Sequence, residues 1–214
     1  MSRYTAYQQR VVDACRQLAD EGYLAGTGGN IALRVDADHF AVTPSAKDYY
    51  ALRAEDICIL SLATLQQVEG DLKPSVESGL HACLLRAKPG MAASVHTHQP
   101  RASAVALLNV DIPLIYPADR AALGDKVAIV PYAPSGTGLL VRALRKRLSP
   151  QLHAYLLRNH GVICAAAEMD QAIASVRYIE AAATAFLHEH ASRATALPPE
   201  LRSAVLGELA PTVP

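Results

Sequence analysis

The sequence predicts a layered α/β domain whose sheet is at least partly antiparallel. Three observations carry that prediction. Short β-branched or aliphatic runs punctuated by Asp, Pro and Gly fill residues 30–60, helical periodicity alternates with such runs beyond Pro74, and no repeat period or low-complexity block interrupts either pattern.

The elements follow in order. Tyr7, Val11, Val12, Cys15, Leu18 and Ala19 recur at helical spacing, so the chain opens with an amphipathic helix ending near Gly22. Runs at 31–35, 39–43 and 57–60 read as strands of a meander. Next come a helix over 76–87, a strand over 92–95, a helix over 102–108, and strands near Ile112 and over 127–130. A helix over 138–148, strands over 154–157 and 162–165, and a long Ala-rich helix over 169–189 complete the domain, which spans 1–196. Residues 197–214, with Pro198, Pro199, Pro211 and Pro214, form a C-terminal tail: a short helix and a loosely held end.

Composition narrows the function. The 214 residues carry 20 Lys+Arg against 20 Asp+Glu, which leaves no electrostatic footprint for a partner held through many phosphates. Nucleic-acid binding is therefore excluded from the expectations. No stretch approaches the roughly 18 charge-free apolar residues of a membrane span, so no membrane partner is expected either. Arg3, Arg10, Asp13 and Arg16 interrupt the first residues, and no secretory signal is visible. Cys15, Cys58, Cys83 and Cys164 are far apart and form no CxxC pair, as expected of reduced, buried thiols in a cytoplasmic protein.

The sharpest local feature is His96-Thr97-His98, directly after an apolar strand run. Positions i and i+2 lie on one face of a strand but on nearly opposite faces of a helix. Both imidazoles can thus address one ion. His160, in Arg158-Asn159-His160-Gly161, also follows a strand run, and three strand-end histidines suit zinc first and other divalent transition metals next. Taken alone, the same residues also fit ordinary polar caps on strand ends.

Glu77 follows Ser75 at the start of the 76–87 helix, where a carboxylate complements the helix dipole. Beside a metal it would instead be a ligand and proton acceptor. His81, four residues on, shares its face and can support it. Gly26-Thr27-Gly28-Gly29-Asn30 and Pro134-Ser135-Gly136-Thr137-Gly138 are loops able to expose backbone N–H groups to an anion, or plain turns. The first lacks the GK[ST] ending of a nucleotide loop. Arg142, Arg145, Lys146 and Arg147 read as a solvated helix face.

In this order, Gly26-Thr27-Gly28-Gly29-Asn30-Ile31, Val42-Thr43-Pro44-Ser45, Lys73-Pro74-Ser75-Val76-Glu77, Val95-His96-Thr97-His98 and Arg158-Asn159-His160-Gly161 resemble the class II aldolase/adducin family, and within it the L-fuculose-phosphate aldolase branch. The resemblance spans about residues 5–190. It implies a three-layer α/β/α single domain with a largely antiparallel central sheet, assembled as a homotetramer with active sites near subunit interfaces. It also implies that His96, His98 and His160 bind Zn2+ (alternatively Mn2+, Co2+ or Fe2+), and that Glu77 alternates between metal ligand and general acid/base. Gly28, Gly29, Asn30, Thr43, Ser45 and Ser75 then resemble the family's substrate and phosphate cradle.

The chain departs from that branch in several places. Ser45-Ala46 stands where the branch has Thr-Gly, and Val76 where it has a second Ser. A hydrogen bond to a charged group is worth roughly 1.5–3 kcal/mol, so each loss weakens a phosphate site by more than about tenfold. The branch's C-terminal tyrosine has no counterpart, since the last Tyr is Tyr178, which leaves Tyr116, Asp119, Arg101 and Lys47 as candidate proton donors.

The activity implied is a zinc-dependent aldolase-type lyase acting on a small ketose, ketose phosphate or related hydroxy-ketone through an enediolate. The alternatives are an epimerase, dehydratase or decarboxylase with the same metal centre, and a non-catalytic adducin-like binding module.

Overall fold

The computed structural model describes residues 2–26 and 28–210. In chain order the elements are α1 (Thr5–Asp20), β1 (Asn30–Arg34), β2 (His39–Val42), a 3-10 turn (Ala54–Asp56), β3 (Cys58–Ser61), β4 (Gln67–Glu69), α2 (Ser78–Ala87), β5 (Ala93–Thr97) and α3 (Pro100–Leu108). These are followed by β6 (Ile112–Pro113), α4 (Pro117–Leu123), β7 (Lys126–Val130), α5 (Gly138–Arg147), β8 (Ala154–Leu157), β9 (Gly161–Ala166), α6 (Met169–Arg193) and α7 (Pro199–Glu208).

The strands form one sheet in the order β4-β3-β2-β1-β5-β9-β8-β7-β6. Every neighbouring pair is antiparallel except β7 with β8, which are parallel. The expected largely antiparallel sheet is therefore observed.

Alternation along each strand divides the core between the two faces. Ile31, Leu33, Ala41, Ile59, Val95, Val162 and Cys164 pack with residues of α1, α3 and α6. On the opposite face, Tyr155, Leu157 and Ile163 meet Leu80 and Leu84 of α2 and Leu140 and Leu144 of α5, while Phe40, Val42 and Leu60 meet Ala82 and Leu85 of α2. Helices thus cover both faces, as the three-layer expectation required. A fully buried Leu, Ile or Phe contributes roughly 1.5–3 kcal/mol, and this alternation is what fixes the strand register.

One face bears directly on function. Period 2 puts Asn30, Ser94 and His96 on the α2 side of the sheet, with Asn30 directly opposite His96 and Ala32 opposite Ser94. Asn30 and His96 therefore lie side by side on the face that α2 covers.

The structure differs from the sequence expectations at the start of α2 and in two short elements. Helix α2 starts at Ser78 and not at 76, because Ser75 and Glu77 form the turn that precedes it. Helix α4 was unexpected: at seven residues opened by Pro117, it is too short to display a helical period. Strand β4, also unexpected, is a three-residue partly polar edge without alternation. The tail's short helix is present as α7, packed against α6, while the expected loose end at 211–214 lies outside the described residues.

The four cysteines are free and buried, and burial pushes Cys58 up to about 11 and Cys164 up to about 12. Burial also raises Cys15, so these three thiols stay protonated at neutral pH. Among the described residues no helix is long and apolar enough to cross a membrane.

Ala46, the residue that stands where the resembling branch carries Gly, has φ +54°, in the left-handed region. A Cβ there costs roughly 1–2 kcal/mol, partly offset by the greater unfolded-state freedom of Gly. Ala46→Gly is expected to raise Tm by about 2 °C in a thermal melt; a lower Tm would mean that the methyl group stabilises this turn.

Candidate functional site

Strand β5 presents His96 on the α2 face. Thr97 points away: its Oγ1 donates to Gln99 Oε1, and Gln99 Nε2 donates to the Val176 carbonyl on α6. His98 consequently returns to the side of His96. His160 comes from the β8–β9 hairpin, where Asn159 at φ +56° turns the chain and the His160 N–H donates to the Leu157 carbonyl. Gly161 makes room for all three rings, because a Cβ there would strike the Thr97 carbonyl oxygen and lie 2.7 Å from His98 Cδ2.

The ligand atoms converge. One ring nitrogen from each of His96, His98 and His160 lies within 4.8 Å of the others, with His96 Nε2 3.0 Å from His98 Nε2. Glu77 closes the group, its Oε2 3.2 Å from His96 Nε2 and its Oε1 3.3 Å from His160 Nε2. Four ligands held about 2.0–2.1 Å from a tetrahedral ion are about 3.3 Å apart, so these spacings match such a shell.

Protonation fits as well. His96 Nδ1 donates to the Val162 carbonyl at 2.8 Å, which leaves Nε2 facing the centre. Burial, reinforced by His96, pushes His98 down and His160 to about 4, so both rings are neutral at pH 7. Burial opposes ionisation of Glu77, but its contacts with His96 and Asn30 outweigh it and hold the carboxyl well below the usual carboxylate range. Three imidazoles and one carboxylate are a donor set for a divalent transition metal. The Nδ1 of His160 is buried without a hydrogen-bond partner among the described residues.

The cradle residues surround this cluster, but mostly by bracing it. A Cβ on Gly28 would lie 3.1 Å from His98 Nδ1, and Gly29, at φ +101°, passes so close to the His96 carbonyl that a side chain is excluded. Asn30 is buried and donates from Nδ2 to Glu77 Oε2 at 2.9 Å. Thr43 Oγ1 accepts from the Ile31 N–H, Ser45 Oγ donates to the Pro74 carbonyl, and Ser75 Oγ accepts the Glu77 N–H. The Ser45 hydroxyl, with backbone bonds from Ser45 N–H to the Lys73 carbonyl and from Ser75 N–H to the Thr43 carbonyl, stitches segment 43–45 to segment 73–75, while Ser75 sets the backbone of Glu77.

The candidate proton donors are not brought to the cluster within one chain. Tyr116 is exposed at the start of α4, and Asp119 is buried in a recess with Ile115, Ala182 and Phe186, where burial raises its pKa. Among the described residues neither forms a hydrogen bond or ion pair with Glu77 or the histidines. Lys47 is engaged by Asp56 at 2.7 Å, and the Arg101 guanidinium donates to the Glu208 carbonyl.

Sequence reasoning missed Ser135, whose Oγ donates to Glu77 Oε1 at 2.8 Å. Its loop was visible as a Gly-bearing turn, but nothing local showed that it folds over residues 76 and 77. Gly136, at φ +70° and packed on Val76, sets that approach.

Fold and site together define a layered α/β protein built around a candidate metal centre. The chain belongs to the class II aldolase and adducin N-terminal domain family, whose description fits residues 9–187. It is 32% identical over 174 residues to the 5-deoxy-D-ribulose 1-phosphate aldolase of Bacillus thuringiensis serovar kurstaki, covering 81% of this chain and 80% of that protein. It is 30% identical over 173 residues to the methylthioribulose-1-phosphate dehydratase of Pectobacterium carotovorum subsp. carotovorum, covering 74% and 82%. A solved L-fuculose 1-phosphate aldolase superposes with a TM-score of 0.82 at 25% identity, covering 97% of each chain. The family is metal-dependent, in keeping with the histidine cluster.

Elemental mass spectrometry of untagged protein is expected to find about one divalent metal per chain, lost in His96→Ala. Gly161→Ala is expected to lower both metal content and Tm, since the methyl group displaces the rings; full retention of metal would contradict this packing account.

Proposed function

We propose that this chain is a metal-dependent lyase of the aldolase type, making or breaking a C–C bond of a small ketose, ketose phosphate or related hydroxy-ketone through an enediolate. The observation that carries the reading is the position of Glu77: a buried carboxylate whose two oxygens lie 3.2 Å and 3.3 Å from ring nitrogens of His96 and His160. His96, His98 and His160 would hold the metal, with Glu77 as a fourth ligand, and Zn2+ suits them first, ahead of Mn2+, Co2+ or Fe2+. Bound there, the metal would supply Lewis acidity that lowers the cost of the enediolate.

The chain's own groups do the rest. Glu77 is ionised and able to take the proton from the carbon next to the carbonyl. Asn30 and Ser135 hold its two oxygens from opposite sides, so the accepting lone pairs are oriented before substrate arrives. Gly28, Gly29, Asn30, Thr43, Ser45 and Ser75 would line the substrate site. The two relatives act on ribulose 1-phosphates bearing different substituents, which supports a ketose 1-phosphate as substrate class.

Dehydration is the second reading, favoured by the likeness to a dehydratase at nearly the same identity. Mass analysis separates the outcomes: aldol cleavage gives two carbonyl fragments, dehydration one product lighter by a water, decarboxylation CO2, and epimerisation no change in mass. An adducin-like binding module is disfavoured, because such a role needs no converging metal ligands.

The catalytic domain is assigned to 1–196, with 197–214 as an appended tail, and a cytoplasmic homotetramer is the proposed assembly. Exposed Val76, Tyr132 and Leu139 beside the site support burial there by a neighbouring subunit. Light scattering that finds a monomer would remove that part.

Glu77→Gln is expected to keep most of the metal while exchange of the donor-carbon proton with D2O falls at least about 100-fold. Unchanged exchange would overturn the role of Glu77.

A further inference from the structure

Behind Glu77 lies a line of buried polar groups that neither metal binding nor proton transfer explains. Asn30 Nδ2 is 2.9 Å from Glu77 Oε2, Asn30 Oδ1 is 2.7 Å from His81 Nε2, and His81 Nδ1 is 2.8 Å from Ser94 Oγ. Asn30 is 6% exposed, and His81 and Ser94 are fully buried. The groups come from three elements: Asn30 from β1, Ser94 from β5 two residues before His96, and His81 from α2, one helical turn after Glu77.

The direction of every bond in this line is forced from one end. An ionised carboxylate only accepts, so Asn30 must turn its NH2 group to Glu77. The planar amide then points its oxygen, also only an acceptor, at His81, and His81 Nε2 must carry the hydrogen. A neutral imidazole with its hydrogen on Nε2 has its lone pair on Nδ1, which accepts the Ser94 hydroxyl. Burial, with His96 adding to it, pushes His81 down to about 3, in keeping with a neutral ring. The opposite His81 tautomer would flip the Asn30 amide and set its oxygen against the Glu77 carboxylate. The selection comes from the Glu77 end through Asn30, and the Ser94 hydroxyl, able to donate or accept, completes the line by donating to Nδ1.

We propose that Ser94, His81 and Asn30 form a one-directional hydrogen-bond chain that positions Glu77 against the histidine cluster, with the Glu77 carboxylate fixing the tautomer of His81 through Asn30. In this chain the three are positioning residues, acting through Glu77. The proposal rests on the metal-centre reading of Glu77, but its first readout is independent of turnover. A chain satisfied at every link holds its members in one arrangement, whereas a broken link leaves a buried polar group unpaired and the carboxylate free to rotate.

Long-range 15N NMR of histidine-labelled wild type, without substrate, is expected to show His81 neutral with hydrogen on Nε2 across pH 5–8. Hydrogen on Nδ1 would overturn the chain whatever the protein's activity. In zinc-competition titrations Asn30→Ala is expected to bind zinc about tenfold more weakly, with all three histidines intact. For turnover, kcat is expected to fall at least tenfold in Asn30→Ala and in His81→Leu, with KM changed less than threefold. His81→Gln can donate to Asn30 and accept from Ser94, and should exceed His81→Leu in kcat at least fivefold at matched Tm. Equal kcat in His81→Gln and His81→Leu, or wild-type zinc affinity in Asn30→Ala, would reduce these residues to packing. If no ketose is turned over by wild type while the tautomer and zinc results hold, the lyase reading fails and the positioning chain stands.

Discussion

Glu77 carries a negative charge inside the protein, at 6% exposure, and much of the surrounding structure offsets the cost of burying it. An uncompensated carboxylate in such a place would take up a proton and lose its value as ligand and base. Each oxygen therefore has a donor, Asn30 at Oε2 and Ser135 at Oε1, with ring nitrogens of His96 and His160 3.2 Å and 3.3 Å away. Those partners come from β1, the loop before α5, β5 and the β8–β9 hairpin, elements widely separated in sequence. The sheet order places β1, β5 and β9 side by side, which brings the centre together.

The same demand accounts for features that look like loose decoration in the sequence. Gly161 and Gly29 are small because histidine rings and the β5 backbone occupy the space where a side chain would go. Ser45 and Ser75, resembling phosphate ligands, spend their hydroxyls joining two loops and holding the backbone of Glu77. The polar groups of this region are thus largely consumed by internal bonding.

What the sequence revealed, it revealed through periodicity. His96-Thr97-His98 could be read as two ligands on one face because a strand alternates strictly, and His160 before Gly161 because strand ends present side chains to sites. Glu77 was visible through the family's ordered motifs and not through spacing alone. Asn30 is legible as a cradle residue, but its bond to Glu77 depends on standing opposite His96 across β1 and β5, a register no local pattern encodes. His81 was placed on the correct helical face, yet it reaches Glu77 only through Asn30. The Ser135 loop is legible as a Gly-bearing turn, but its contact with Glu77, 58 residues away, is not. Helix α4 and strand β4 were too short to carry a period, and Tyr116 and Asp119 on α4 turned out to face α6 and not the cluster.

The central claim is that three imidazoles and the Glu77 carboxylate address one ion. X-ray absorption at the zinc edge of zinc-loaded protein, wild type against Glu77→Gln, tests it most directly. The account expects about three imidazole ligands in both proteins, with the first-shell oxygen contribution altered only where Glu77 is replaced. A zinc shell with sulfur, with one imidazole or none, or with spectra identical in the two proteins would contradict it.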